Sequence, residues 1–177
     1  FIVLHLRGSH FYYRYRYPDD YVYFSDPLKQ NIPTPVENKQ NEPKISWTHD
    51  EKLKTIARRT INEYDDSIRY TDALLEKLYD RIFHSENIDT SNVWLLYFSD
   101  HGEDVFDTQN GHFRSTEHVT SPMLEIPMFG VFSTAWMVRN GDRLLQKFPL
   151  DQPMLLRYMP YFITTAADIS FDYQINS

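Results

Sequence analysis

The sequence has no cysteine, which excludes disulfides, thiolate metal sites and a cysteine nucleophile without assigning a compartment. No apolar run approaches the roughly 20 residues needed to span a bilayer, and no basic start with a small-residue cleavage site opens the chain. Positive charge is short as well: 18 Lys plus Arg stand against 25 Asp plus Glu, a net charge of −7. A general nucleic-acid-binding surface is therefore not expected, although local basic patches remain open. Internal repeats and low-complexity tracts are lacking. What is present is 177 residues of 41% hydrophobic content, enough for one soluble domain with a substantial core.

The chain is organised around Val93-Trp94-Leu95-Leu96-Tyr97-Phe98-Ser99-Asp100-His101-Gly102-Glu103-Asp104. Its continuous apolar start reads as a strand buried on both faces. Asp100 and His101 stand where that strand ends, and Gly102 lets the backbone turn. In open α/β sheets ligands bind at the carboxyl ends of strands. An Asp and a His there offer a hard oxygen and an imidazole nitrogen to one divalent cation. The commoner meaning of an isolated Asp-His pair is an Asp capping the next turn beside a surface His.

Residues 1–6 have the same buried-strand pattern, with no initiator Met and no turn residue before them, so the chain reads as the C-terminal piece of something longer. Arg7-Gly8-Ser9-His10 reads as the loop after that strand, which sets His5 and His10 near a strand end. The aromatic stretch from Phe11 to Pro18 either lines a groove or covers the sheet with its rings. From Ser25 to Lys44 the sequence is polar, rich in Pro and without a period, an irregular surface excursion.

Ala57, Ile61, Tyr64, Ile68, Leu75, Leu78 and Ile82 recur at three- and four-residue steps and predict a helix over residues 49–84, capped by Thr48 or Asp50. Asp65, Asp66 and Asp72 are potential site carboxylates, though charges on such a helix are usually only solvated. Strand, long helix, strand is the βαβ unit with a parallel pair and a right-handed crossover, and it gathers His5, His10, Asp100 and His101 on one rim. The polar stretch after Glu103, with Gly111-His112 and His118, can fold back over that rim. Residues 126–132 look like another core strand, residues 142–148 are short and mixed, and residues 152–168 read as an amphipathic helix that Pro160 kinks or divides.

Taken together, several stretches resemble the phosphoethanolamine transferases, in the sulfatase-like branch of the alkaline phosphatase superfamily. They are Ile2-Val3-Leu4-His5-Leu6-Arg7-Gly8-Ser9-His10, Tyr12-Tyr13, Arg16-Tyr17-Pro18, Tyr64-Asp65-Asp66-Ser67-Ile68-Arg69-Tyr70-Thr71-Asp72, Tyr97-Phe98-Ser99-Asp100-His101-Gly102-Glu103, and Gly111-His112. The resemblance implies an α/β fold with a mostly parallel sheet flanked by helices, incomplete at the N-terminus. It also implies that residues 1–177 form one catalytic-domain fragment. The parent would be an inner-membrane enzyme with a periplasmic domain, moving phosphoethanolamine from a phospholipid onto lipopolysaccharide or another envelope glycan.

Members of that family use zinc. By resemblance Asp100 and His101 are ligands of the first ion, His10 and His112 surround the transferred phosphate or a second zinc, and His5 lies close by. Glu103 either orients a ligand or caps the following turn. The family's nucleophile is a Thr on an element before the matched region, so no Thr here takes that role, and the isolated fragment is expected to be inactive. Asp104-Val105-Phe106-Asp107 replaces the small-residue stretch common among lipid A modifiers, which leans toward acceptors among inner-core sugars. A sulfatase or phosphodiesterase-type hydrolase of the same fold, or a non-catalytic domain, are the competing readings.

Overall fold

The helix expected over residues 49–84 is present as α1, Glu51–Phe83, in the computed structural model of the chain. Asp50 starts it: its Oδ1 accepts the backbone N–H groups of Lys52 at 2.8 Å and Leu53 at 3.2 Å, two donors that have no partner inside the helix. The structure describes residues 1–26, 50–106, 110–111, 128–149 and 151–169, so Thr48 and most of the Pro-rich excursion lie outside the described residues. Two units divide the chain, one of Phe1–Leu78 with His101–Leu124 and one of Tyr79–Asp100 with Glu125–Ser177.

In the first unit, the face that α1 buries is not the apolar stripe. Ala57 is buried, but Ile68 is exposed, and the other buried positions are Asn62, Asp66, Ser67 and Thr71. The reason is the irregular segment packed against it, whose backbone N–H groups need acceptors once they leave water. Asp66, at 0% exposure, supplies them. Its Oδ1 accepts from the N–H of Tyr23 and of Phe24, both at 2.9 Å, and its Oδ2 from the N–H of Ser25 at 3.1 Å and the Ser25 hydroxyl at 2.5 Å. Burial pushes this carboxyl up, but the Ser25 hydroxyl and the three N–H groups outweigh it, and the net pKa falls below the ordinary 3.8.

Rings reinforce the same junction. Tyr13 meets Tyr64 edge-on at 5.1 Å, Tyr21 meets Tyr70 at 4.8 Å, and the Arg69 guanidinium lies 5.0 Å from the Tyr23 ring centre. Short 3₁₀ turns at Tyr13–Arg16 and Asp19–Tyr21 shape the segment, and Tyr13 and Tyr17 are buried by it. Of the two roles open to these aromatics, covering a surface is the one Tyr13 and Tyr17 take, and the surface is that of α1.

The first unit also holds β2, Asp104–Val105, paired antiparallel with β3, Asn110–Gly111, so that Asp104 faces Gly111. Residues 1–6 differ from the expectation. They form no strand, no ladder among the described residues reaches them, and Phe1, Ile2, Val3 and Leu4 are exposed. An apolar run reports that a segment favours cover; it does not report which strand supplies its backbone partner.

In the second unit β1, Trp94–Phe98, is the strand expected at residues 93–98, half-buried along its length. Its partner is β4, Met128–Phe132, in antiparallel register, Trp94 opposite Phe132 and Phe98 opposite Met128. The parallel pair and the mostly parallel sheet are thus not found among the described strands, both of whose sheets are two-stranded and antiparallel. Trp94, Leu96, Phe98 and Phe132 pack toward a core of Trp136, Leu144, Met159, Phe162 and Ala166. Gly130 leaves room for that packing: a Cβ there would stand 3.1 Å from the Phe132 ring, which would have to shift by a few tenths of an ångström.

α2, Thr134–Lys147, went unmarked in the sequence. Its polar surface and the mid-helix Gly141 mask a buried face of only Trp136, Gly141 and Leu144. The Ser133 hydroxyl caps it by accepting the Trp136 N–H at 3.3 Å. Pro160 neither kinks nor divides a helix over residues 152–168; it sits in the first turn of α3, Met159–Ala166, where its missing N–H has no partner to lose. α3 ends in a left-handed Asp168, with the N–H of Ile169 bonded to Thr164 O at 2.9 Å and that of Asp168 to Thr165 O at 3.3 Å.

Asp66→Asn is expected to destabilise the protein by about 1–3 kcal/mol, because an amide NH₂ then faces the Ser25 N–H. The sign with pH follows from the lowered pKa: the carboxylate's contribution is complete above the ordinary 3.8 and is lost as pH falls through the lower folded value. Urea unfolding across pH checks both, and Asp66→Asn should show the shallower loss on the acid side.

Candidate functional site

Asp100 follows β1, is exposed, and is the last residue of its segment of the second unit; His101 resumes the first unit and is half-buried. The His101 ring has a defined tautomer. Its Nδ1 lies 3.0 Å from the carbonyl oxygen of Gly102. A carbonyl can only accept, so this hydrogen bond is made with the proton on Nδ1, and Nε2 is the nitrogen that a neutral ring would offer to an ion. Metal-ligating imidazoles commonly have this arrangement, one nitrogen oriented by a carbonyl and the other presented to the ion.

His10 is exposed and lies in a loop that is unusual in its backbone. Gly8 has φ +50° and Tyr12 has φ +63°, a left-handed conformation that a bulky residue adopts only where its surroundings enforce it. Arg16 does so: its Nε donates to the carbonyl of His10 at 2.9 Å and its Nη2 to the carbonyl of Phe11 at 2.7 Å. Burial, and then the charge of Arg7, push this guanidinium's pKa down, as expected of an arginine bonded to carbonyls rather than a carboxylate. Arg16 thereby fixes where His10 begins.

Glu103 and Asp104 are buried, at 7% and 3% exposure. Burial pushes the Tyr13 phenol well above its usual range, and the charges of Glu103, Tyr64 and Asp104 add to the shift, so both carboxylates lie within electrostatic reach of that hydroxyl. Tyr13 OH is fully buried and has no hydrogen-bond partner among the described residues. The sequence singled out Glu103 but not Asp104 or Tyr13, since a polar run read as a loop does not reveal which carboxylates turn inward. Asp65, on α1, is pushed up by burial and by the neighbouring Asp66 charge, and Asp72 is exposed.

His5 lies in the exposed segment of residues 1–6. His112 lies outside the described residues, although the β2–β3 pairing brings the chain back beside Asp104 at Gly111. Among the described residues no three or more His, Asp or Glu side chains converge as an ion site would require. Asp100 and His101 fit zinc in kind, as one oxygen and one Nε2 donor, and a tetrahedral site needs two further donors.

A family model described as Sulfatase matches residues 1–144. Among curated proteins, the chain is 27% identical over 173 residues to phosphoethanolamine transferase EptC of Escherichia coli K12, covering 97% of this chain and 26% of that protein. It is 28% identical over 142 residues to phosphoethanolamine transferase CptA of Salmonella typhimurium, 79% of this chain and 21% of that one. Against the Kdo(2)-lipid A phosphoethanolamine 7''-transferase of the same organism the identity is 25% over 127 residues, 72% and 18% of the two chains. The chain thus spans about a quarter of the length of the first of these relatives. No solved structure matches it.

Arg16→Gln should loosen the His10 loop without unfolding the unit. Amide exchange at residues 9–12 is expected to speed up roughly fivefold, the equivalent of ~1 kcal/mol of local stability, while the α1 amides keep their protection.

Proposed function

This chain belongs to the Sulfatase family, and from that premise we propose that the whole protein is an enzyme that transfers phosphoethanolamine from a phospholipid to lipopolysaccharide or another envelope glycan. The observation that carries the reading is that similarity to phosphoethanolamine transferases runs through nearly the whole chain rather than through one motif. The whole protein would act at the periplasmic face of the bacterial inner membrane. That location rests on the substrates' chemistry; among the described residues no helix is long and apolar enough to cross a membrane.

The reaction moves a phosphoryl-type group, and the residues divide its demands. The Asp100 carboxylate and His101 Nε2 would hold a zinc ion, with the Gly102 carbonyl orienting the His101 ring through Nδ1. Zinc, when bound, lowers the pKa of a hydroxyl nucleophile and screens its approach to phosphorus. That nucleophile is a Thr supplied by the whole protein and becomes the phosphorylated intermediate; no Thr of this chain is assigned the role. His10 and His112 would donate to the non-bridging phosphate oxygens, or hold a second ion, as charge builds in the transition state. Glu103, buried two residues beyond His101, would help orient that ligand loop. His5, exposed in this structure, would lie close to the site.

A hydrolase of the same family is the second reading, because the Sulfatase match extends to both reaction types. Mass spectrometry of the reaction separates them: a transferase adds phosphoethanolamine to the glycan, whereas a hydrolase releases phosphoethanolamine into water.

In the whole protein, His101→Ala is expected to lower both bound zinc and transfer, the latter by roughly 100-fold or more. His84, exposed and 3.1 Å from Asp80, is the control and should change neither. Retention of zinc and transfer by His101→Ala would end the ligand assignment. His112→Ala must likewise lower transfer more than His84→Ala does, or its substrate role is lost.

A further inference from the structure

We propose that Tyr13 is a positioning residue of the ligand loop: its phenol O–H is the donor through which the His10 loop holds Glu103, two residues beyond His101. The inference rests on the reading of His101 as a zinc ligand and adds how that ligand is kept in place. Tyr13, His10, His101 and Glu103 all lie within the first unit.

The hydroxyl is the feature that calls for a function. Tyr13 is 2% exposed, and its OH is buried with no hydrogen-bond partner among the described residues. A buried donor left without an acceptor destabilises the fold that contains it, and a role in a ligand-bound state is one reason for keeping it. Packing does not account for it. The Tyr13 ring meets Tyr64 edge-on at 5.1 Å and Phe11 at 5.9 Å, contacts that a phenylalanine would make equally well. Ser9 Oγ, on the other side of His10 in sequence, is a second buried hydroxyl with no partner there. The loop around His10 thus holds two unused donors, and Tyr13 has the longer reach.

The acceptor follows from what surrounds the phenol. Glu103 and Asp104 are both buried, and a buried carboxylate needs donors. After burial itself, the Glu103 charge does most to raise the Tyr13 phenol, ahead of Tyr64 and Asp104. A phenol raised in this way keeps its proton, so toward a carboxylate it acts as donor. Asp104 is already placed by the β2–β3 ladder, opposite Gly111, whereas Glu103 precedes the ladder and links it to His101. Tyr13 is equally well fixed on its own side. It opens the 3₁₀ turn Tyr13–Arg16, in which the Tyr15 N–H bonds Tyr12 O at 3.0 Å, and Arg16 at the end of that turn grips the His10 and Phe11 carbonyls. A bond from Tyr13 to Glu103 therefore sets one histidine loop against the other. Contacts behind a metal-ligating side chain of this kind are felt in metal affinity.

The full-length protein is compared as wild type, Tyr13→Phe, Glu103→Met and the double variant, by zinc competition against a chromogenic chelator and by thermal unfolding without metal. Glu103→Met keeps the length of the side chain and removes the acceptor. Tyr13→Phe is expected to weaken zinc binding about tenfold. It should nevertheless unfold at an unchanged or higher temperature, since it removes the unpartnered hydroxyl and keeps the ring. In the Glu103→Met background the same substitution should change zinc affinity by less than about twofold, the sign that both residues act through one contact. A purely structural tyrosine gives the opposite pattern, earlier unfolding of metal-free Tyr13→Phe, and that result overturns the proposal. So does zinc affinity of Tyr13→Phe within about twofold of wild type, an undiminished effect in the Glu103→Met background, or no zinc binding by the wild type at micromolar concentration. Neither measurement uses turnover. A protein that shows the coupling but only hydrolyses its substrate loses the transferase reading alone, and a transferase without the coupling loses this inference alone.

Discussion

One buried carboxylate governs the first unit. Asp66 takes three consecutive backbone N–H groups and a hydroxyl, so residues 23–25, which follow two short 3₁₀ turns and form no strand, can leave water with those donors satisfied. A charged acceptor costs free energy to bury, and here the cost is offset by four hydrogen bonds converging on one group. The same stretch includes Tyr21 and Tyr23, whose rings meet Tyr70 and Arg69 one or two helical turns along α1. Earlier in the same stretch Arg16 holds the His10 loop through the carbonyls of His10 and Phe11.

This changes the meaning of the Tyr64-Asp65-Asp66-Ser67-Ile68-Arg69-Tyr70-Thr71-Asp72 stretch. As sequence it offers acids and hydroxyls that invite a catalytic assignment. In the structure Asp66 is committed to backbone amides, Ser67 donates to the Tyr64 carbonyl at 2.6 Å, and Thr71 donates to the Ser67 carbonyl at 3.0 Å. Tyr64, Arg69 and Tyr70 contact the facing segment with rings and cation. In this structure the stretch is a fastening.

Legibility followed physical range. Features set by neighbours in sequence could be read: the Asp50 cap, the extent of α1, the strand at residues 94–98 and the second strand ending at Phe132. Features set by distant partners could not. The apolar spacing of α1 gave Ile68 a core role, yet the helix turns its polar residues inward because its partner is bare backbone rather than a sheet. The apolar run that makes residues 1–6 look like a strand cannot name a strand beside it, and β1 pairs instead with β4, where the Trp94 and Phe132 rings stack with centroids 6.3 Å apart. Membership of the Sulfatase family supports the α/β class; the parallel sheet expected with it is not formed by the described strands.

The candidate site divides along the same line. The order of the Asp100-His101-Gly102 motif is local: the His101 Nδ1 lies 3.0 Å from the carbonyl oxygen one residue away. The inward turn of Glu103 and Asp104 beside Tyr13 is not local, since it depends on a segment some ninety residues earlier in the chain being pinned to α1 first. Burial raises the pKa of the Tyr13 phenol, and the nearby charges of Glu103, Tyr64 and Asp104 raise it further, so a contact set far apart in sequence decides the electrostatics beside the ligand loop.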